Sequence, residues 1–90
     1  MSLSRYACKS DSNSLAIKHA LENVGCTVQR LNEAGVPDFL VARNHKMWLM
    51  EVKAPKGKLT EAQTAWHKWW RAPVFVVRNV DEALNLVLGA

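Results

Sequence analysis

Apolar and polar positions along this chain follow two periods in turn. Ile17, Ala20, Leu21 and Val24 recur at i, i+3, i+4 and i+7, which predicts an amphipathic helix. Asp11, Ser12 or Ser14 can cap its start, and Gly25 stops it. The residues before it, 1–10, are polar and read as a flexible end. Residues 26–31 are β-prone enough for a first strand, and 32–35 form a connection. Two apolar runs then flank Asn44-His45, a pair suited to a tight turn, so residues 35–53 read as a β-hairpin. After a Pro55- and Gly57-containing loop, Thr60-Glu-Ala-Gln63 forms a capping box. It opens a helix to about Arg71, with Ala62, Ala65, Trp66, Trp69 and Trp70 at helical spacing. Residues 74–77 read as a buried strand, and Asp81 as the cap of a last helix with Leu84, Val87 and Leu88 on one face. The predicted order is α-β-β-β-α-β-α, and the helix between the last two strands makes them parallel, so the sheet is mixed.

The hairpin carries most of the chemical information. With a two-residue turn, Arg43 pairs with Lys46, Phe39 with Met50, and Asp38 falls directly opposite Glu51. Opposed residues in an antiparallel pair have Cβ atoms about 4.5–5.5 Å apart, where like charges destabilise unless something neutralises them. The pair therefore predicts that the metal-free protein holds or gains stability when either carboxylate is replaced by Ala. Lys53 projects on the same face as Glu51 because side chains alternate along a strand. The rest of that face (Leu40, Ala42, Met47, Leu49) is apolar, and so is the other (Phe39, Val41, Trp48, Met50, Val52), which predicts a sheet covered on both sides. Pro37 has no N–H and a fixed φ, and suits the mouth of the strand where Asp38 sits.

Length and charge narrow the classes. Ninety residues make one domain, 1–90, with a modest core. Twelve Lys and Arg against eight Asp and Glu give a net charge of +4, which favours an anionic partner. Cys8 and Cys26 lack metal-ligand spacing, and no apolar run has the length of a signal peptide or a membrane span, so the expected setting is reduced and cytoplasmic. His19, His45 and His67 show no ligand spacing and read as structural or exposed.

Phosphodiester hydrolysis needs an activated water, charge neutralisation on the phosphate and a protonated leaving oxygen. Asp38, Glu51 and the Val52 carbonyl supply hard oxygen ligands of the kind Mg²⁺ takes, leaving positions for water and a phosphate oxygen. Lys53 would orient or deprotonate the water, or balance charge on the phosphorane. Lys56 and Lys58 stand beside it as phosphate clamps, and Arg5 and Lys9 are further candidates for phosphates.

Pro37-Asp38 followed by Glu51-Val52-Lys53 resembles the Pro-Asp…(Asp/Glu)-x-Lys nuclease superfamily. Gly35-Val-Pro-Asp-Phe-Leu-Val and Lys58-Leu-Thr-Glu-Ala-Gln63 are similar to its VRR-NUC branch, which includes small stand-alone phage proteins. The resemblance spans nearly the whole chain. It implies a restriction-endonuclease-like α/β fold with an αβββαβ core, a mixed central sheet flanked by helices, in a bacterial or phage-infected cell. It implies Asp38 and Glu51 as metal ligands, Lys53 as the catalytic lysine and Gln63 as a supporting glutamine. Gln63 reads equally well as nothing more than the partner of Thr60 in the capping box. Asp11-Ser-Asn13 resembles the Asp-x-Asn at the start of the first helix in the phage relatives, which adds Asp11 and Asn13 to the nucleic-acid-binding candidates. Those relatives often carry Glu three residues after that Asn, where this chain has Ala16.

The expected function is a Mg²⁺- or Mn²⁺-dependent DNA endonuclease, acting by resemblance on branched DNA such as a Holliday junction. Four tryptophans in so small a domain, three of them on one helix and read as core or interface rather than base-stacking residues, predict a homodimer. The alternatives are a nucleic-acid-binding module that keeps the fold without the chemistry, and a structural subunit docking through that helix.

Overall fold

The computed structural model describes the backbone of residues 2–89 and the side chains of residues 13–89. The elements are α1 (Ser2–Asn23), β1 (Thr27–Arg30), β2 (Phe39–Arg43), β3 (Lys46–Val52), α2 (Glu61–Trp69), β4 (Phe75–Val77) and α3 (Val80–Leu88). The four strands form one sheet in the order β1-β2-β3-β4. β1–β2 and β2–β3 are antiparallel and β3–β4 is parallel, so the sheet is mixed as its patterning predicts.

The hairpin register follows from its turn. Asn44 and His45 both have positive φ, 51° and 67°, the backbone of a type I′ turn, whose twist matches that of the flanking strands. Arg43 accordingly pairs with Lys46 and Phe39 with Met50. One step beyond the ladder, Asp38 faces Glu51.

The core lies on one face of the sheet. Phe39, Val41, Met50 and Val77 pack there against Ile17 and Leu21 of α1 and Ala83 and Val87 of α3. Arg43 closes the distant end of this layer by donating from Nε to the Val24 carbonyl (2.9 Å) and from Nη1 to the Val87 carbonyl (3.4 Å), satisfying carbonyls at the ends of two helices.

Four expectations need correction. α1 begins at Ser2 rather than near Asp11, so Asp11, Ser12 and Ser14 are interior to the helix and do not cap it. No Pro or Gly interrupts residues 2–24, and the polar run at 10–14 is tolerated within an already nucleated helix. α3 is capped by Asn79, whose side chain accepts from the Glu82 amide at 2.8 Å, and not by Asp81. The inward stripe of α3 is Ala83 and Val87 with Val80 and Leu84, while Leu88 is exposed. Lastly, the sheet is not fully covered on both sides: on the face of Glu51, Ala42 and Met47 are exposed near the turn, while α2 meets the sheet at Glu51.

Candidate active site

Three elements deliver the site to one end of the sheet. Asp38 precedes β2, Glu51 is the penultimate residue of β3 on the same face, and the Lys53 amide donates to the Val77 carbonyl (3.0 Å), continuing the ladder with β4 past Val52. Asp38 is held by its own backbone, whose carbonyl accepts from the Leu31 amide (2.8 Å), and by its carboxylate, whose Oδ2 accepts from the Val52 amide (2.7 Å). Amide and carbonyl of one strand residue point the same way, so the Val52 carbonyl also projects toward Asp38.

Glu51 is buried, 1% exposed. Its Oε2 accepts from Gln63 Nε2 at 3.2 Å, and Oε1 lies 3.3 Å from His67 Nε2. Burial, a hydrogen bond to Asp38 and that carboxylate's charge push the Glu51 carboxyl up to about 8, against the partial relief of Lys53. Burial and the nearby Lys53 push His67 down from its ordinary value. At neutral pH in the metal-free protein the Glu51–His67 contact is thus a hydrogen bond between neutral groups rather than an ion pair.

Gln63 makes two sets of contacts, one to the helix cap and one to Glu51. Its Oε1 accepts from the Thr60 amide (2.9 Å) while its own amide donates to Thr60 Oγ1 (3.1 Å), completing the capping box. Because the oxygen is committed to the cap, the Nε2 end is turned toward Glu51. Gly35 lets α2 sit this close: its φ is +81°, and a Cβ there would lie 3.2 Å from the Ala62 carbonyl oxygen.

Asn13, Ser14, Asp38, Val52, Lys53, Gly57 and Lys58 line a cleft of about 390 Å³. Asn13 Nδ2 donates to the Lys53 carbonyl at 3.4 Å. Lys56 is exposed on the adjoining loop, while Ala16 is exposed and outside the lining. The side chains of Arg5, Lys9 and Asp11 lie outside the described residues.

Two contributors escaped the sequence reading. His67 is half-buried against Glu51 rather than exposed, and its spacing of i+4 from Gln63 is the signal that places both on one helix face. Arg78 donates from Nη1 to the carbonyls of Ala54 (2.8 Å), Pro55 (3.3 Å) and Gly57 (2.7 Å), so one guanidinium pins the loop that carries Lys56 and Lys58. No local pattern marks that interaction.

A solved structure described as a "VRR_NUC domain" superposes on this chain with a TM-score of 0.72 and 28% identity, over 89% of this chain and 95% of that one. That likeness supports a VRR-NUC family assignment for the chain. The α/β architecture with its mixed sheet is the one that likeness requires. No family model matches the sequence, and no curated protein does. At the strand end the chain presents a carboxylate pair, a lysine and a basic cleft. The pair also fits a hard divalent cation. Asp38, Glu51 and the Val52 carbonyl are oxygen donors, and Glu51 carries the charge strain that a cation would relieve. Three protein oxygens would leave positions on an octahedral ion for water, as Mg²⁺ usually keeps. No described helix is long and apolar enough to cross a membrane.

Proposed function

We propose that this VRR-NUC domain is a Mg²⁺- or Mn²⁺-dependent DNA endonuclease. The observation that carries the reading is the buried Glu51 facing Asp38 at the mouth of a cationic cleft, a pairing that is costly for folding alone. Asp38, Glu51 and the Val52 carbonyl would hold the ion. When bound, the cation neutralises the phosphate and lowers the pKa of a water.

The chain's own groups do the rest. Asp38 is fixed by the Val52 amide and lines the cleft, so its carboxylate is held there without a search among rotamers. Glu51 is oriented by Gln63 and His67, both from α2. Lys53 lines the cleft with Asp38, where its ammonium would balance charge accumulating on the phosphorane or orient the attacking water, and its neutral amine would accept that water's proton. Lys56, Lys58 and Asn13 border the path of the DNA backbone, with Arg5, Lys9 and Asp11 as further contacts on α1.

Branched DNA such as a four-way junction is the proposed substrate, and a homodimer the working species. Resolving a junction takes two incisions, and a two-fold dimer offers two sites to a roughly two-fold substrate. Exposed Met47 and Leu88 leave apolar surface for a partner. The proposed setting is the cytoplasm of a bacterial or phage-infected cell. The test is a panel of labelled junction, flap, duplex and single-stranded DNA incubated with Mg²⁺ or EDTA. Cleavage of the junction with Mg²⁺ alone is expected, whereas tight binding without cleavage under any divalent ion would make the chain a binding module.

A further inference from the structure

The helix that steadies Glu51 carries a second surface that the cleft does not use. α2 has no buried residue. Trp66 and Trp70, one turn apart, stack with ring centroids 5.0 Å apart and planes 17° apart, and Trp69 lies edge-on to Trp66 at 5.9 Å. Trp69 is 69% exposed and Trp70 38%. With Arg71 and Ala72 these two line an open cleft of about 320 Å³. A solvent-exposed stack of large aromatic rings is an unfavourable surface to leave uncovered.

Charge decides among occupants. Lys68 and Arg71 flank the two rings, and between Ala62 and Val80 the chain carries Lys68, Arg71 and Arg78 with no Asp or Glu. A two-fold seam centred on this helix would bring those cations toward their own copies, which like-charge repulsion opposes. A polyanion with flat π-faces satisfies rings and cations together. Every nucleobase presents such a face, and aromatic rings bordered by Lys and Arg are how unpaired strands are held without regard to sequence. Bases within a continuous duplex are already stacked on their neighbours, so the ligand is an unpaired one. The location is apt as well: Trp66 sits next to His67, ring centroids 6.5 Å apart, and His67 touches Glu51.

We propose that Trp69 and Trp70, with Lys68 and Arg71, form a stacking platform for an unpaired base of DNA. The platform's role in selecting strands for the Asp38–Glu51 site rests on the nuclease reading, whereas the platform itself does not. It makes DNA with unpaired nucleotides beside the cut a better ligand than continuous duplex.

The test measures binding in EDTA of a single-stranded oligodeoxynucleotide and of the blunt duplex of the same sequence, by anisotropy and tryptophan emission, with light scattering on each protein. The single strand should quench emission. Trp69→Ala should weaken its binding roughly five-fold or more, the lower end of what one stacked base contributes, with a smaller effect on duplex and no change in mass. Trp69→Phe should restore most of the affinity, and Lys68→Ala with Arg71→Ala should flatten the salt dependence. Single-strand binding by Trp69→Ala equal to that of the wild type would overturn the platform, and so would a fall in mass, which assigns Trp69 to a subunit seam. Cleavage with Mg²⁺ separates the two readings. A wild type that is quenched but never cuts leaves the platform standing without the nuclease, and a wild type that cuts while Trp69→Ala binds normally leaves the nuclease without the platform.

Discussion

Glu51 holds a proton in the folded, metal-free protein that an ordinary carboxyl, near 4.5, would already have released. Its contribution to stability is therefore complete below about pH 4.5 and is lost as pH rises through about 8. His67 acts in the opposite sense, since its lowered pKa favours the unfolded chain only below about 6.5. Between roughly pH 6.5 and 8.5 Glu51 acts alone of the two, so the Tm in EDTA should fall across that window and Glu51→Gln should flatten the fall. Thermal melts check this, and a wild-type Tm that does not move would contradict the buried, protonated state. Asp38 has a hydrogen-bond partner that the expectation of a harmless carboxylate removal did not count. Its Oδ2 satisfies the Val52 amide, so Asp38→Ala should cost about 1–3 kcal/mol, the usual penalty for an orphaned donor, while Asp38→Asn keeps an acceptor and should lose much less. Equal melts for the two would show that the hydrogen bond contributes nothing. The facing of Asp38 and Glu51 was legible because a two-residue turn dictates register. The engagement of His67 was not, because α2 buries no apolar stripe that would announce which of its faces meets the sheet.

Elements were legible wherever local chemistry defined them. The type I′ turn at Asn44-His45 and the capping box at Thr60 both depend on residues adjacent in sequence, and both formed as read. The start of α1 was misread because Asp11, Ser12 and Ser14 are good caps in isolation, yet nothing before them breaks a helix. Long-range pinning was invisible: Arg78 lies more than twenty residues from the loop whose carbonyls it collects. Arg78→Ala should free that loop, raising hydrogen exchange at the Gly57 amide and weakening DNA binding, with Arg78→Lys intermediate because an ammonium lacks the planar fork. Unchanged exchange would mean that the loop holds its own shape. Lys56→Ala with Lys58→Ala should reduce the salt slope of duplex binding by roughly 0.9 for each phosphate that the pair neutralises, and an unchanged slope would make both merely solvated.

For the whole molecule, alternating strands around one crossover helix were enough to anticipate the mixed sheet, whereas the uneven cover on its two faces was not. Apolar residues on both faces of β2 and β3 suggested two protected sides. Ala42 and Met47 instead face solvent, toward the turn and away from the Glu51 end where Gln63 and His67 of α2 meet the sheet. That open apolar surface supports the proposed homodimer. Light scattering at micromolar concentration should give the mass of two chains, and a monomer both free and on junction DNA would contradict it. The central claim is that Asp38, Glu51 and Lys53 cut DNA with a divalent ion, and incision of a labelled four-way junction by the wild type, Glu51→Gln and Lys53→Ala, with Mg²⁺ or Mn²⁺ and with EDTA, tests it most directly. The account predicts cleavage by the wild type with either metal, none in EDTA, and loss of nearly all activity in both variants while junction binding persists. A wild type inert with both metals, or a Glu51→Gln protein that cuts as the wild type does, would contradict it.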